Sequence, residues 1–164
     1  MPKILYLVRH AKSSWNNPSM LDFDRPLNRR GEHDAPEIGR RMRERNALPE
    51  TIVCSPARRA METLELLNAE MGVAADAIFM QKRIYEASTK TLLEIVRELD
   101  DRFSSAMLIG HNPSMTWLAS ELSGEPIHNM PTCAIAAIEL DAEKWKKTGH
   151  CPAKLQFLDY PKNT

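Results

Sequence analysis

Short apolar runs alternate along this chain with longer segments of helical periodicity. The apolar runs predict six strands, at Lys3–Val8, Thr51–Cys54, Ile78–Met80, Ala106–Ile109, Ala134–Leu140 and Lys154–Leu158. The periodic segments predict helices over Arg30–Arg45, Pro56–Met71, Thr89–Asp101 and Pro113–Leu122, with a short turn near Ala142–Trp145. Strands that alternate with helices in this way are typical of a mostly parallel sheet with helices packed on both faces. The pattern therefore predicts an α/β fold, built as a three-layer α/β/α sandwich.

Composition narrows the classes of protein to consider. A chain of 164 residues suits one domain, which we expect to span residues 1–164. The 22 Lys and Arg residues balance the 22 Asp and Glu residues, so no global charge attracts nucleic acid or an anionic membrane. The apolar stretch after Lys3 is too short for a signal peptide, and three widely spaced cysteines suit a reducing compartment. We therefore expect a cytoplasmic protein that binds neither nucleic acid nor membrane.

Charged and imidazole side chains follow two of the predicted strands. Arg9 and His10 come directly after the first apolar run, and His111 follows the later run that ends at Gly110. Active sites of open α/β sheets lie at the carboxyl ends of their strands. The segment Asn112-Pro113 begins a helix, whose free N–H groups favour an anion. The two strand ends together predict an anion-binding site with two histidines.

A third strand end carries two arginines. After Cys54, the sequence predicts Ser55 as a helix N-cap and Pro56 as the first helical residue. Arg58 and Arg59 then fall in the first helical turn, where cations oppose the helix dipole. A bound phosphate would remove this conflict.

Each of these features also has an ordinary structural explanation, such as a hydrogen-bonded core histidine or an arginine paired with a surface carboxylate. Taken together they are harder to explain in that way, because three strand ends deliver Arg, His, Arg and His to one edge of the sheet. A phosphoryl-transfer site needs such a set as nucleophile and charge clamp. The long loop over residues 11–26 carries Trp15 and Asn16 close after the Arg-His pair, and loops of this length are often functional.

The motifs around these residues resemble those of the histidine phosphatase superfamily and, within it, the short SixA-type phosphohistidine phosphatases. The matching segments are Leu7-Val8-Arg9-His10-Ala11, Asp24-Arg25-Pro26-Leu27-Asn28-Arg29-Arg30-Gly31, Ser55-Pro56-Ala57-Arg58-Arg59-Ala60, Gly110-His111-Asn112-Pro113 and Thr132-Cys133-Ala134-Ile135-Ala136. They occur in the right order and cover nearly the whole chain. The resemblance implies a phosphoglycerate mutase-like α/β/α domain in which His10 is the nucleophile and becomes transiently phosphorylated.

The resemblance also implies the residues of the site. The expected catalytic residues are Arg9, His10, Arg58, His111 and Glu86, and the expected phosphate-binding residues are Arg9, His10, Arg58, His111, Asn16 and Asn112. Neutral His10 attacks phosphorus, the two guanidiniums bind phosphoryl oxygens, and a cationic His111 adds charge-assisted hydrogen bonds. Glu86 is the candidate general acid. The sequence shows no cluster of metal ligands, so we expect this chemistry to need no metal or other cofactor.

The identity of the substrate is the main question that the sequence leaves open. A chain of this length lacks room for the helical lid of larger relatives, so we expect an open site suited to a phosphorylated protein. The resemblance points to phosphohistidine on a signalling or phosphotransfer protein. Two alternatives remain, a phosphomonoesterase acting on a small phosphate ester and a non-catalytic phosphate-binding module.

Overall fold

Six strands form one sheet in the computed structural model, which describes residues 1–163. The strands are β1 (Lys3–Arg9), β2 (Thr51–Cys54), β3 (Ile78–Met80), β4 (Ser105–Gly110), β5 (Ile135–Leu140) and β6 (Ala153–Asp159). The helices are α1 (Arg29–Glu44), α2 (Arg58–Met71), α3 (Thr89–Arg97) and α4 (Ser114–Ser123). A 3₁₀ turn at Trp145–Lys147 lies where the sequence predicts a short turn.

The order of the strands brings three carboxyl ends together. The sheet has the order β3-β2-β4-β1-β5-β6, in which the first four strands pair in parallel. Strand β5 runs antiparallel to β1, and β6 pairs antiparallel with β5. Because β2, β4 and β1 are neighbours, the residues that follow them emerge side by side at one edge of the sheet.

Helices cover both faces of the sheet, and alternate side chains of β1 show why. Leu5 and Leu7 point into a core that includes residues of α3 and α4. Tyr6 and Val8 point to the other face, into a core that includes residues of α1 and α2. This alternation follows from the two-residue period of a strand. The predicted three-layer α/β/α sandwich is confirmed.

The helix boundaries differ from the prediction most clearly at α2. Its first residue is Arg58 and its N-cap is Ala57, so the prediction of Ser55 as N-cap and Pro56 as first helical residue is wrong. The Ser55 hydroxyl still accepts a hydrogen bond from the Ala57 N–H, but it does so before the helix begins. Helix α3 ends at Arg97, a few residues earlier than predicted.

Two of the cysteines are buried in the core, and no helix of the described residues is suited to crossing a membrane. Cys54 and Cys133 are buried, and burial raises the pKa of both thiols, so they remain protonated and contribute to packing. Over residues 1–163, no helix is both long and apolar enough to cross a membrane.

Candidate active site

A cleft of about 170 Å³, here called the basic cleft, contains both predicted histidines. Its lining residues are Arg9, His10, Lys12, Ser13, Trp15, Arg25, Arg59, His111, Asn112 and Thr132. Strand register explains why the two histidines lie close together, because Arg9 of β1 pairs with Gly110 of β4. The His10 N–H also donates to the Gly110 carbonyl, at 3.0 Å. The two strand ends that carry His10 and His111 are thus held side by side.

The His10 ring has one fixed tautomer. Its Nδ1 lies 2.7 Å from the Ala11 carbonyl oxygen, which can only accept a hydrogen bond, so Nδ1 carries the proton. The lone pair of the neutral ring is therefore on Nε2. That atom accepts a hydrogen bond from the Arg59 Nε–H at 3.3 Å. His10 thus presents an unprotonated nitrogen to a guanidinium group.

The structure places Arg59, and not Arg58, in the basic cleft. The Arg59 side chain is only 8% exposed and contacts His10, whereas the Arg58 side chain is 52% exposed and pairs with Glu62 at 3.1 Å. The structure therefore places Arg59 in the cleft, where the sequence analysis expected Arg58, and Arg58 faces solvent. Two consecutive helical residues point about 100° apart, so only one of the pair can face the cleft.

The spacing of residues along α2 indicates that Arg59 is buried and Arg58 is exposed. Glu62 follows Arg58 by four residues, which is the spacing of a solvent-exposed ion pair on a helix. Arg59, Thr63 and Leu67 share the same spacing and are all buried. The Thr63 hydroxyl also accepts a hydrogen bond from the Ala11 N–H, at 2.9 Å. The buried face of α2 therefore begins at Arg59.

One ring nitrogen of His111 is hydrogen-bonded, and the other has no partner within the described chain. Its Nε2 lies 2.8 Å from the Ser55 hydroxyl oxygen, and its ring centroid is 5.2 Å from that of His10. Its Nδ1 is buried and has no hydrogen-bond partner within the described chain. A buried polar atom without a partner is costly, and an oxyanion bound between the two rings would supply one. Ser55, predicted as a helix cap, orients this histidine instead.

Both histidines are neutral at physiological pH. Burial lowers the pKa of His10 to about 3, and the positive charges of Arg59 and Arg9 act in the same direction. Burial also lowers the pKa of His111 to about 4, with Arg59 adding to the effect. The cationic His111 expected from the sequence therefore requires a bound dianion to raise its pKa.

These depressed pKa values predict how stability depends on pH. An unfolded histidine titrates near pH 6.5, so the stability that comes from neutral buried rings is complete above about that pH. It is lost progressively as the pH falls from about 6.5 toward 4 for His111 and toward 3 for His10, by at most about 1.4 kcal/mol per pH unit for each ring. We expect His10→Asn to flatten this dependence between pH 6.5 and 4.5, as measured by urea unfolding. His33→Asn, which replaces an exposed histidine, is the control; equal slopes for wild type and His10→Asn would contradict the pKa assignment.

Arg9 contributes a second guanidinium beside the histidines. One of its terminal nitrogens donates to the Met130 carbonyl at 2.9 Å, which fixes the side chain. Its Nε is buried and has no hydrogen-bond partner in residues 1–163. Burial lowers the pKa of Arg9 from its usual value, although the group stays charged. Arg9, a residue that lines the cleft, therefore has an N–H donor without a partner in the described chain.

The loop over residues 11–26 supplies contacts that the sequence analysis missed. Asp22 accepts hydrogen bonds from the guanidinium groups of Arg59 and Arg25 and from the Tyr85 hydroxyl. The hydrogen bond from Tyr85 and those from the two arginines hold the pKa of Asp22 at about 2, so its carboxylate is ionised. The Tyr85 ring in turn packs edge-on against His111, with centroids 5.6 Å apart. Asp22 thus orients Arg59 but has no proton to donate at neutral pH.

Three of the predicted site residues do not have their predicted role: Asn16 and Glu86 lie outside the cleft, and Asn112 lines it with its amide already hydrogen-bonded. Asn16 is exposed and lies outside the lining set. Asn112 lines the cleft, but its amide is engaged by Asn129, the Met130 carbonyl and Thr116. Glu86 is exposed, has a positive φ of 57° and also lies outside the lining set. The structure therefore brings together Arg9, His10 and His111 from the predicted set, with Arg59 in place of Arg58.

Comparison with known proteins agrees with this arrangement. The sequence model of the histidine phosphatase superfamily (branch 1) matches residues 5–89, which is just over half of the chain and includes both His10 and Arg59. The chain belongs to the histidine phosphatase superfamily. The members of this superfamily are hydrolases and mutases, so this histidine phosphatase homologue is an enzyme of that group.

Three relatives show how far the similarity extends. An uncharacterised chloroplastic protein of Arabidopsis thaliana is 32% identical over 151 residues, which are 87% of this chain and 69% of that protein. A protein of Agrobacterium tumefaciens with the provisional name phosphohistidine phosphatase SixA is 27% identical, with a TM-score of 0.83 over 98% of this chain and 99% of its own. The protein histidine phosphatase SixA complexed with tungstate has a TM-score of 0.84 at 21% identity, over 98% of both chains. The chain thus shares its complete fold with SixA structures.

Proposed function

We propose that this enzyme removes phosphate from phosphohistidine on a protein, through a phosphorylated His10 and without a metal ion. One observation carries the proposal: the basic cleft places a neutral histidine of fixed tautomer among guanidinium groups, and no Asp or Glu of residues 1–163 lines it. Such a cleft provides a nucleophile and a charge clamp. It provides no carboxylic acid for protonating a poor leaving group.

The first step transfers the phosphoryl group to His10. The lone pair of Nε2 forms a bond to phosphorus while the bond from phosphorus to the substrate nitrogen breaks. The electron pair of the broken bond stays on that nitrogen. Arg9 and Arg59 hold the equatorial oxygens through directed N–H donors, and His111 Nδ1 is the third donor. The hydrogen bond from Arg59 to His10 gives way to this contact.

The second step returns His10 to its starting state. Water adds to phosphorus, the bond to Nε2 breaks, and its electron pair returns to the ring as the neutral lone pair. The released dihydrogen phosphate carries both protons of the attacking water and loses one to solvent. The Nδ1–H never leaves the Ala11 carbonyl during the cycle. Atoms and charges balance without a metal-bound hydroxide.

The missing carboxylic acid favours phosphohistidine over an alkyl phosphate. A phosphohistidine whose second ring nitrogen is protonated releases a neutral imidazole, which needs no further proton. An alkyl phosphate releases an alkoxide, which is a far stronger base and depends on a positioned acid. Transfer between two imidazoles also exchanges chemically similar bonds, so neither side is strongly favoured.

The size of the basic cleft supports a phosphate borne by a protein. At about 170 Å³ it is smaller than the roughly 300–1,000 Å³ typical of sites that enclose a small molecule. It has room for a phosphoryl group and part of the leaving group, while the rest of the substrate stays outside. A larger groove of about 650 Å³ along α2 and β3 is lined by neither His10, Arg9 nor His111.

The proposal is tested by hydrolysis with a chelator present throughout. The substrates are a protein phosphorylated on histidine and p-nitrophenyl phosphate. We expect the phosphoprotein to have the higher kcat/KM, with no loss of rate on chelation. Efficient turnover of small esters alone would support a phosphomonoesterase instead. Phosphate binding without hydrolysis of either substrate would support a binding module.

Glu86 provides a separate test of the acid requirement. We expect Glu86→Gln to change phosphohistidine turnover by less than about threefold, because the leaving imidazole needs no proton from a side chain. The measurement is kcat for a phosphohistidine protein and for an alkyl phosphate, each compared with wild type. A loss of about 100-fold or more on phosphohistidine, within the range of general acid catalysis, would show that Glu86 reaches the leaving group and would contradict the proposal.

A further inference from the structure

Trp15 is an unusual side chain for an enzyme surface. It is 73% exposed, although an indole is normally highly buried. It also lines the basic cleft, and it is the one exposed large hydrophobic side chain among the lining residues of the described chain. Other exposed large hydrophobic residues, such as Trp117, lie outside this set.

The position of Trp15 is fixed by Arg25. The guanidinium carbon of Arg25 lies 3.3 Å from the centroid of the Trp15 ring. Arg25 is itself buried and donates hydrogen bonds to the Ser14 carbonyl, the Ser13 hydroxyl and the Asp22 carboxylate. A cation held over an indole face is a favourable arrangement. One face of the indole is therefore occupied, and the remaining surface is presented by a rigid support.

We propose that Trp15 forms a stacking subsite for a planar ring attached to phosphorus, and so selects imidazole and aryl leaving groups over ring-free ones. The inference rests on the proposed function and deepens it, since it names a residue that recognises the leaving group. Aromatic side chains stack readily on planar heterocycles, and a side chain already held in place loses little entropy on doing so.

In-line transfer directs the leaving group toward the open side of the cleft. The nucleophilic His10 Nε2 belongs to a side chain that is buried at the base of the basic cleft, whereas Trp15 is exposed. The leaving group must lie on the side of phosphorus opposite Nε2, and therefore toward the open side of the cleft. A ring in that position faces the open side of the cleft, which the exposed Trp15 also lines.

The test uses two substrates with the same type of phosphorus–nitrogen bond. Phosphoimidazole carries a ring, and phosphoramidate does not. We expect Trp15→Ala to lower kcat/KM for phosphoimidazole by about 3- to 10-fold and to leave phosphoramidate within about twofold. Trp15→Phe should restore most of the difference, since it retains an aromatic face. Trp117→Ala, which removes another exposed indole, is the matched control and should affect neither substrate.

Binding of phosphonates separates this inference from the proposed function. Phenylphosphonate and methylphosphonate cannot be turned over, and their affinities are measured by calorimetry. We expect Trp15→Ala to weaken only phenylphosphonate, even if the enzyme hydrolysed no phosphorus–nitrogen bond. An equal loss for both ligands would overturn the subsite, because Trp15 would then act by positioning Arg25. Unchanged affinity for both would overturn it as well.

Discussion

Replacement of His10 by alanine is expected to abolish turnover, with a loss on the order of 10⁴-fold or more in kcat, since no other neutral nitrogen in the cleft has its lone pair so fixed. Wild-type enzyme quenched during turnover of labelled substrate should carry phosphate that is labile in acid and stable in alkali, as expected for a phosphorus–nitrogen bond. The His10→Ala variant should carry none. Both are measured on enzyme whose fold has been checked by circular dichroism.

Two further variants make this result specific. His33→Ala removes an exposed histidine and should retain full activity and labelling. His10→Gly leaves a space that free imidazole can enter, and added imidazole should restore part of the rate by acting as the nucleophile. Substantial activity in His10→Ala would show that phosphoryl transfer proceeds directly to water, and the covalent mechanism would be wrong.

The second large effect distinguishes two neighbouring arginines. We expect Arg59→Ala to lower kcat/KM by about 10²- to 10³-fold, the usual loss when one donor to a developing oxyanion is removed. We expect Arg58→Ala to stay within about threefold of wild type, because its side chain faces solvent and pairs with Glu62. Steady-state kinetics with a phosphohistidine protein measure both effects.

A conservative change at the same position tests geometry against charge. Arg59→Lys keeps the positive charge but loses the planar arrangement of donors, so it should recover little of the activity. Loss of activity in Arg58→Ala together with an active Arg59→Ala variant would show that the helix presents the other residue to the substrate. The correction drawn from the structure would then be wrong.

Much of the fold followed from the periodicity of the chain. Buried strands of four to seven residues have few other interpretations when helical segments separate them, and β1, β2 and β4 lie within a few residues of their predicted positions. Parallel strands must end at the same edge, so it was also predictable that His10 and His111 lie at one edge of the sheet. What the sequence could not provide was the strand order that made them neighbours.

The errors at the site arise from the local geometry at the start of α2. The helix begins two residues later than predicted, at Arg58 instead of Pro56, and the non-helical backbone at Ala57 sets the direction in which the two arginines point. The sequence favours Ser55 as a cap because serine often has that role, yet its hydroxyl is needed by His111. Helix boundaries depend on such tertiary partners, which a single sequence does not reveal.

The loop over residues 11–26 shows a different limit. Asp22, Arg25 and Trp15 belong to this irregular loop. They contact one another or residues that are distant in the sequence, so sequence periodicity does not predict these contacts. Asn16 lies close to His10 in the sequence, yet it is exposed and does not line the cleft. Nearness along an irregular segment says little about nearness in space.

The hydrogen bond from His10 Nδ1 to the Ala11 carbonyl decides which positional isomer of phosphohistidine the enzyme can carry. Only the nitrogen remote from the main chain is open to phosphorus, so the proposed intermediate is the Nε2-linked isomer. The two isomers differ in the coupling between phosphorus and the ring carbons, which makes the assignment a matter of nuclear magnetic resonance. A main-chain carbonyl, which no side-chain substitution removes, thus sets the regiochemistry of the reaction.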